Sequence, residues 1–88
     1  MNHSNVIVVT YASETHAEKV RLAMAEAGAG KIGNYSHCSF SVKGIGRFKG
    51  GKGAKPRVGK TGKIEEVAEE RIEMVCEKRL LKTVISAI

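Results

Sequence analysis

The chain has 88 residues, a formal net charge of +6, 42% hydrophobic and 27% charged residues, and neither Trp nor Asp. It is too apolar for a disordered chain and short enough for one small domain, which buries roughly 60–65% of the surface its unfolded form exposes. Two distant cysteines, Cys38 and Cys76, exclude a disulfide scaffold and a CxxC metal motif, and no apolar run approaches bilayer-spanning length.

Tyr11, Tyr35, Phe40 and Phe48 are the aromatics, so the core must be aliphatic, and a core this thin gains by oligomerising. The opening MNHSN has no basic segment leading into an apolar one, so the chain is expected to be cytoplasmic with free thiols.

In chain order, Val6–Tyr11 is a β-branched run apolar on both faces and predicts a buried, central strand over 6–11. Ser13 follows as an N-cap for a helix over 13–27, with Glu14 suited to the helix dipole and Ala17, Val20, Met24 and Ala27 on one face. Gly28 stops that helix. Gly28, Gly30 and Gly33 then make a tight connection. Tyr35 to Val42 alternates, Cys38, Phe40 and Val42 against His37, Ser39 and Ser41, and predicts a half-buried strand over 34–43.

From Gly44 to Gly62 there are seven glycines and Pro56, which predicts a long loop or an extended β-arm. Residues 43–63 hold eight Lys or Arg and no acid, and six glutamates follow from Glu65 to Glu77. A basic segment abutting an acidic one can satisfy itself within or between subunits, which weakens the case for nucleic acid. A further strand is expected over 64–76, with Ile72, Met74 and Cys76 on one face and Arg71 and Glu73 on the other. A second helix over 77–88 carries an apolar stripe of Leu80, Leu81, Val84, Ile85 and Ile88. The order is β-α-β-loop-β-α in one α+β domain, 1–88.

The glycine spacing is the specific signal. The run Gly28-Ala-Gly30-Lys-Ile-Gly33-Asn34-Tyr35, then Cys38-Ser-Phe40, Gly44-x-Gly46-x-Phe48 and Gly53-Ala-x-Pro56-x-x-Gly59-x-x-Gly62-x-x-Glu65, leads on to Arg71-Ile72-Glu73. Together these residues resemble the PII/CutA-like domain of the Nif-three-like, dinuclear-metal-centre proteins, also called GTP cyclohydrolase 1 type 2 homologues. The resemblance runs from about Val6 to Ile88 and implies a ferredoxin-like sheet with two helices on one face, usually in a trimer. The family continues past the second helix into a final strand, so the resemblance implies an unpaired edge beside Val6–Tyr11, which a neighbouring subunit covers unless the chain is a truncated form. Its metal ligands lie in domains absent here, so no metal or cofactor is carried over.

Candidate chemistry is sparse. Ala54 to Thr61 fits a relaxed phosphate-loop pattern, but Pro56 and Gly62 deny it the helix start whose amides would face phosphates. Adjacent residues on a strand point to opposite faces, so His37 and Cys38 there cannot chelate one ion, and Cys38 and Cys76 read as core thiols on facing strands. No nucleophile–base set is identifiable, and the chain is expected to be non-enzymatic.

Three readings of the basic segment remain. It can form arms that pair with a neighbour's glutamates. It can wrap a small anionic ligand between subunits through Arg47, Lys49, Lys60 and the amides of Gly44 and Gly46. It can bind nucleic acid, with Phe48 stacking a base and Arg47 and Lys49 holding phosphates. The structural reading ranks first and nucleic acid last; metal handling through His37 or Cys38 is a further alternative.

Overall fold

The computed structural model describes residues 4–53 and 62–88, which form a small α+β unit. Strand β1 (Asn5–Ser13), helix α1 (Ala17–Glu26), strands β2 (Phe40–Lys49) and β3 (Ile64–Glu77), a 3-10 turn at Lys78–Leu80 and helix α2 (Leu81–Ala87) follow in order. The three strands are antiparallel in the order β1-β3-β2. Among the described residues no helix is long and apolar enough to cross a membrane.

The core lies on one face of this sheet. Successive strand residues point to opposite faces, and Val8 and Ala12 of β1 with Ile72, Met74 and Cys76 of β3 are the buried set. Ala17, Met24 and Ala25 of α1 and Val84 of α2 close over them, with Val20, Ala27, Leu80 and Leu81 packed at the margin. Ile85 and Ile88 of the expected helical stripe remain exposed. Helix α1 ends in a Schellman close, the Gly28 amide donating to Ala25 and the Ala29 amide to Met24, both at 3.0 Å.

A polar lock ties α1 to the sheet. The Arg21 guanidinium donates from Nη1 to Glu70 at 2.5 Å and to Ser41 at 3.1 Å, and from Nε to Glu18 at 2.9 Å. Glu70 is the one buried charged residue among those described. The Glu70 and Glu18 hydrogen bonds raise the Arg21 pKa above its ordinary value, against the opposing effect of burial.

Four expectations need correction. The run Val6–Tyr11, central by its apolar pattern, is an edge strand, as the resemblance implies, because β3 takes the middle; among the described residues its second apolar face has no cover. Ser13 closes β1 and bonds to His16 Nδ1 at 2.8 Å, so α1 begins at Ala17 with His16 in the cap position. The last helix is split, a 3-10 turn preceding a seven-residue α2.

The fourth concerns the strand expected over 34–43, which begins at Phe40 and runs on to Lys49. Gly30 has displaced its start. The Gly30 amide donates to the Val75 carbonyl of β3 at 2.7 Å, and its own carbonyl accepts from Cys38 at 2.9 Å. Gly30 thus occupies the place beside β3 that residues 38 and 39 would take. Only glycine fits: φ is +81°, and a β-carbon would lie 2.7 Å from both the Cys38 carbonyl oxygen and Met74 Cε. The freed residues fold into a tight turn, Ile32 and Tyr35 exchanging backbone hydrogen bonds at 3.0 and 2.9 Å around Gly33 and Asn34. Consequently Cys38 lies in a connection, half-buried, and is no partner of Cys76 on a facing strand.

The segment from Gly44 resolves as an arm as far as it is described. Strand β1 pairs with Glu69–Glu77 of β3, whereas β2 pairs with Ile64–Glu73. Residues 45–49 and 64–68 therefore form a two-stranded ribbon beyond the edge of β1, extended by a 2.7 Å bond from the Gly62 amide to Gly50. The molecule is accordingly elongated, 53 × 22 × 17 Å.

Candidate functional face

Directly paired residues of antiparallel strands share a face, so the register assigns every residue of the sheet's outer side. Ile7, Val9 and Tyr11 of β1 stand opposite Val75, Glu73 and Arg71 of β3. Phe40, Val42, Gly44 and Gly46 of β2 stand opposite Glu73, Arg71, Glu69 and Val67. Among the described residues no helix covers this side. Ile7, Tyr11, Phe40 and Val42 are 60, 61, 62 and 48% exposed, an unusual concentration of large apolar side chains on one small surface.

Two depressions indent it. The larger, about 470 Å³, is lined by Tyr11, Val42, Gly44, Glu69, Arg71 and Glu73, with Ile45 at its edge. The smaller, about 260 Å³, lies against Ile7, Ile32, Cys38, Phe40 and Val75. Between them Arg71 Nε meets Glu73 Oε2 at 3.1 Å. Glu69 has no ion-pair or hydrogen-bond partner among the described residues. Its carboxylate lies against Gly46, where any β-carbon would overlap it, so the absent side chain is what seats Glu69 flat over β2.

Of the residues expected to form an anion site, Gly44, Gly46, Arg47 and Lys49 lie along β2, and Lys60 lies outside the described residues. The side chains of Arg47 and Lys49 point to the helix-side face with Lys43, while the amides of Gly44 and Gly46 lie in the plane of the sheet, between its two faces. The two-residue period of the strand sets the Phe48 side chain on the face opposite Arg47 and Lys49, so a base stacked on Phe48 would lie across the strand from those two cations. Arg47 instead meets Glu66 at 3.5 Å, both side chains more than half exposed, a pair worth little in water.

Of the motif positions, Gly28, Gly30, Gly33, Asn34, Tyr35 and Cys38 build the connection before β2, Phe40 and Phe48 belong to β2, and Gly62 extends the arm past Lys49. Pro56, Gly59 and the phosphate-loop-like run Ala54 to Thr61 lie outside the described residues. His37, at φ 59°, belongs to the connection and not to a strand. Among the described residues, no three or more His, Cys, Asp or Glu side chains gather as metal ligands. Tyr11, Glu69, Arg71 and Glu73 were not anticipated as site residues. The signal for them was the alternation of Ile7, Val9 and Tyr11, which reads equally well as a second buried face.

No protein-family model matches the chain. Two curated relatives, both described as GTP cyclohydrolase 1 type 2 homologues, are each 48% identical to it. One, from Mycobacterium tuberculosis, aligns over 80 residues, 91% of this chain and 21% of its own length. The other, from Bacillus subtilis, aligns over 81 residues, 92% of this chain and 22% of its own. This chain is homologous to one segment of those NIF3-family proteins. A solved Bacillus cereus protein related to NIF3 superposes with a TM-score of 0.78 at 45% identity, over 97% of this chain and 21% of that one. The chain thus spans about a fifth of the length of the NIF3 relatives it matches.

Proposed function

We propose that this NIF3-related chain is a non-enzymatic oligomerisation module whose outer sheet face packs against further copies, three in all as the resemblance implies. The observation that carries this reading is the uncovered apolar set Ile7, Val9, Tyr11, Phe40 and Val42 on one face. Fully burying each such side chain stabilises an assembly by about 1.5–3 kcal/mol. A sheet with one face under helices and the other apolar gains by covering the second face, and a thin core gains most. The longer relatives carry a name that refers to GTP cyclohydrolase; in our reading this segment contributes assembly rather than chemistry.

Sedimentation equilibrium on the 9.5 kDa chain tests this. The wild type is expected to sediment as a multiple of that mass at micromolar concentration, and Tyr11→Lys with Val42→Lys as a folded monomer by far-UV circular dichroism. A wild type that stays monomeric up to millimolar concentration removes the proposal.

An anionic ligand is the second reading, favoured by the placement of Lys43, Arg47 and Lys49 on one face of β2. In this reading the three side chains meet the ligand on the arm's helix-side face. Titration with pyrophosphate as the probe, before and after Arg47→Ala with Lys49→Ala, should show binding that weakens at least tenfold. Identical affinities would exclude these side chains.

A further inference from the structure

We propose that the larger depression of the outer face is a receptor for a basic side chain of a second copy's arm, with Glu69 as the receiving carboxylate. This rests on the assembly reading above and adds the contact that orients the copies. The physical argument starts from what Glu69 lacks. It is half-buried, set beside Tyr11 and Val42 in a depression that Arg71 and Glu73 also line, and held there because Gly46 has no side chain. No cation meets it among the described residues, while the neighbouring Glu73 is already matched by Arg71. A carboxylate in such a place gains from a cation that arrives with the surface covering it, because removal of water strengthens the attraction.

The chain cannot supply that cation from the paired part of its own β2. Lys43, Arg47 and Lys49 are on the opposite face by register, and Arg47 already leans on Glu66. A second copy is not so limited. Its arm carries Arg47, Lys49, Lys52 and Lys63 within a stretch of eight cations and no acid, on a ribbon extending beyond β1. Tyr11 walls the depression with an aromatic surface suited to a guanidinium or ammonium stem. In this proposal the acidic partner and the basic partner belong to two copies, and the contact is head-to-tail. Such a contact closes into a ring when its rotation permits, a geometry a two-fold face-to-face dimer does not need.

The test compares wild type, Glu69→Gln and Gly46→Ala by sedimentation equilibrium between 25 and about 500 mM NaCl, a range over which screening of exposed charge is strong. Wild-type association should weaken with salt. Glu69→Gln should associate about tenfold more weakly at low salt and lose most of the salt dependence, and Gly46→Ala, which displaces the carboxylate, should move the same way. A Glu69→Lys chain mixed with one carrying Lys49→Glu, Lys52→Glu and Lys63→Glu should form mixed assemblies that neither forms alone. If Glu69→Gln associates as tightly as wild type with the same salt slope, while Tyr11→Lys with Val42→Lys still dissociates the assembly, this inference fails and the assembly reading stands. A wild type that never associates overturns both. Should Glu69→Lys fail to fold, the Glu69→Gln comparison decides alone, since it changes charge with little change of shape.

Discussion

The two faces of this one sheet are built from the same strands and obey opposite rules. On the helix side, Val8, Ile72, Met74 and Cys76 alternate into a dry cluster that both helices seal. On the outer side, Ile7, Tyr11, Phe40 and Val42 alternate into solvent around the Arg71–Glu73 pair. Residue type hardly distinguishes them: β-branched and aliphatic side chains serve on both. What differs is the presence of a cover, and a surface apolar enough to be a core but lacking one is a surface waiting for a partner. The lesson is that folding uses one face of β1 and β3 while association has the other available.

The sharpest way to break that comparison is to truncate one residue on each face. Ile72 is fully buried, and Ile72→Ala should cost about 3–4 kcal/mol of folding stability, much of a small domain's margin. Val42, opposite Arg71 on the other face, should cost well under 1 kcal/mol when changed to Ala in the monomer, yet weaken association. Urea unfolding at low protein concentration, paired with sedimentation, separates the two effects. Equal losses of folding stability would mean that the outer face is part of the folding core.

Next in size is Gly30. Gly30→Ala forces a β-carbon against the Cys38 carbonyl and Met74 in a left-handed conformation and is expected to cost about 3 kcal/mol. Gly33, also at positive φ, has open space where its β-carbon would be, so Gly33→Ala should cost about 1 kcal/mol. Thermal melts of the two variants measure the difference. A reversed order would mean that the contact between Gly30 and β3 does not hold the connection in place.

These glycines also mark where sequence reasoning reached its limit. The helix-side face was legible, because Ile72, Met74 and Cys76 alternate beside polar neighbours and Ala17, Val20 and Met24 recur at helical spacing. The strand before the arm was misplaced, because Tyr35 to Val42 also alternates. A hydrogen bond from Gly30 to Val75, 45 positions away in the chain, decides where pairing starts. The apolar pattern of β1 alone does not place it at an edge, which the resemblance implies, for a related reason: an apolar alternation reports that a face seeks cover and does not say who provides it. For the candidate anion site, the strand period puts the side chains of Lys43, Arg47 and Lys49 on one face, which the count of cations in the sequence does not by itself reveal. Glu69 had no sequence signal beyond being one of six glutamates.

The Arg21 lock tests whether the arm and the helix layer are coupled, and its expected effect is smaller. Arg21→Ala leaves the buried Glu70 without its partner and frees Ser41 at the start of β2. A loss of about 2 kcal/mol is expected, and Arg21→Lys should recover part of it, because a lysine cannot reach Glu70, Glu18 and Ser41 together. Amide exchange in β2 should quicken more than in β1 in the Ala variant. Uniform quickening would mean that the lock stabilises the fold without coupling to β2.

The smallest effect separates the two thiols, one on each side of the comparison. Burial, with help from the charge of Glu77, pushes the Cys76 pKa above its ordinary value. A folded pKa above the unfolded one means that the folded chain holds the thiol proton more tightly. The contribution is fully present below the unfolded thiol's pKa, about 8.5, and is lost as pH rises from there through the folded value. Stability should therefore decline in mildly alkaline solution by a fraction of a kcal/mol, and Cys76→Ala should flatten that part of the profile while lowering stability at every pH through its cavity. Cys38, half-buried in the connection before β2, offers the control: in native protein it should react with a disulfide reagent well before Cys76. If Cys76 reacts first, the helix-covered face opens more readily than the connection beside it, and the division between a sealed face and an open one is wrong at the very end of β3.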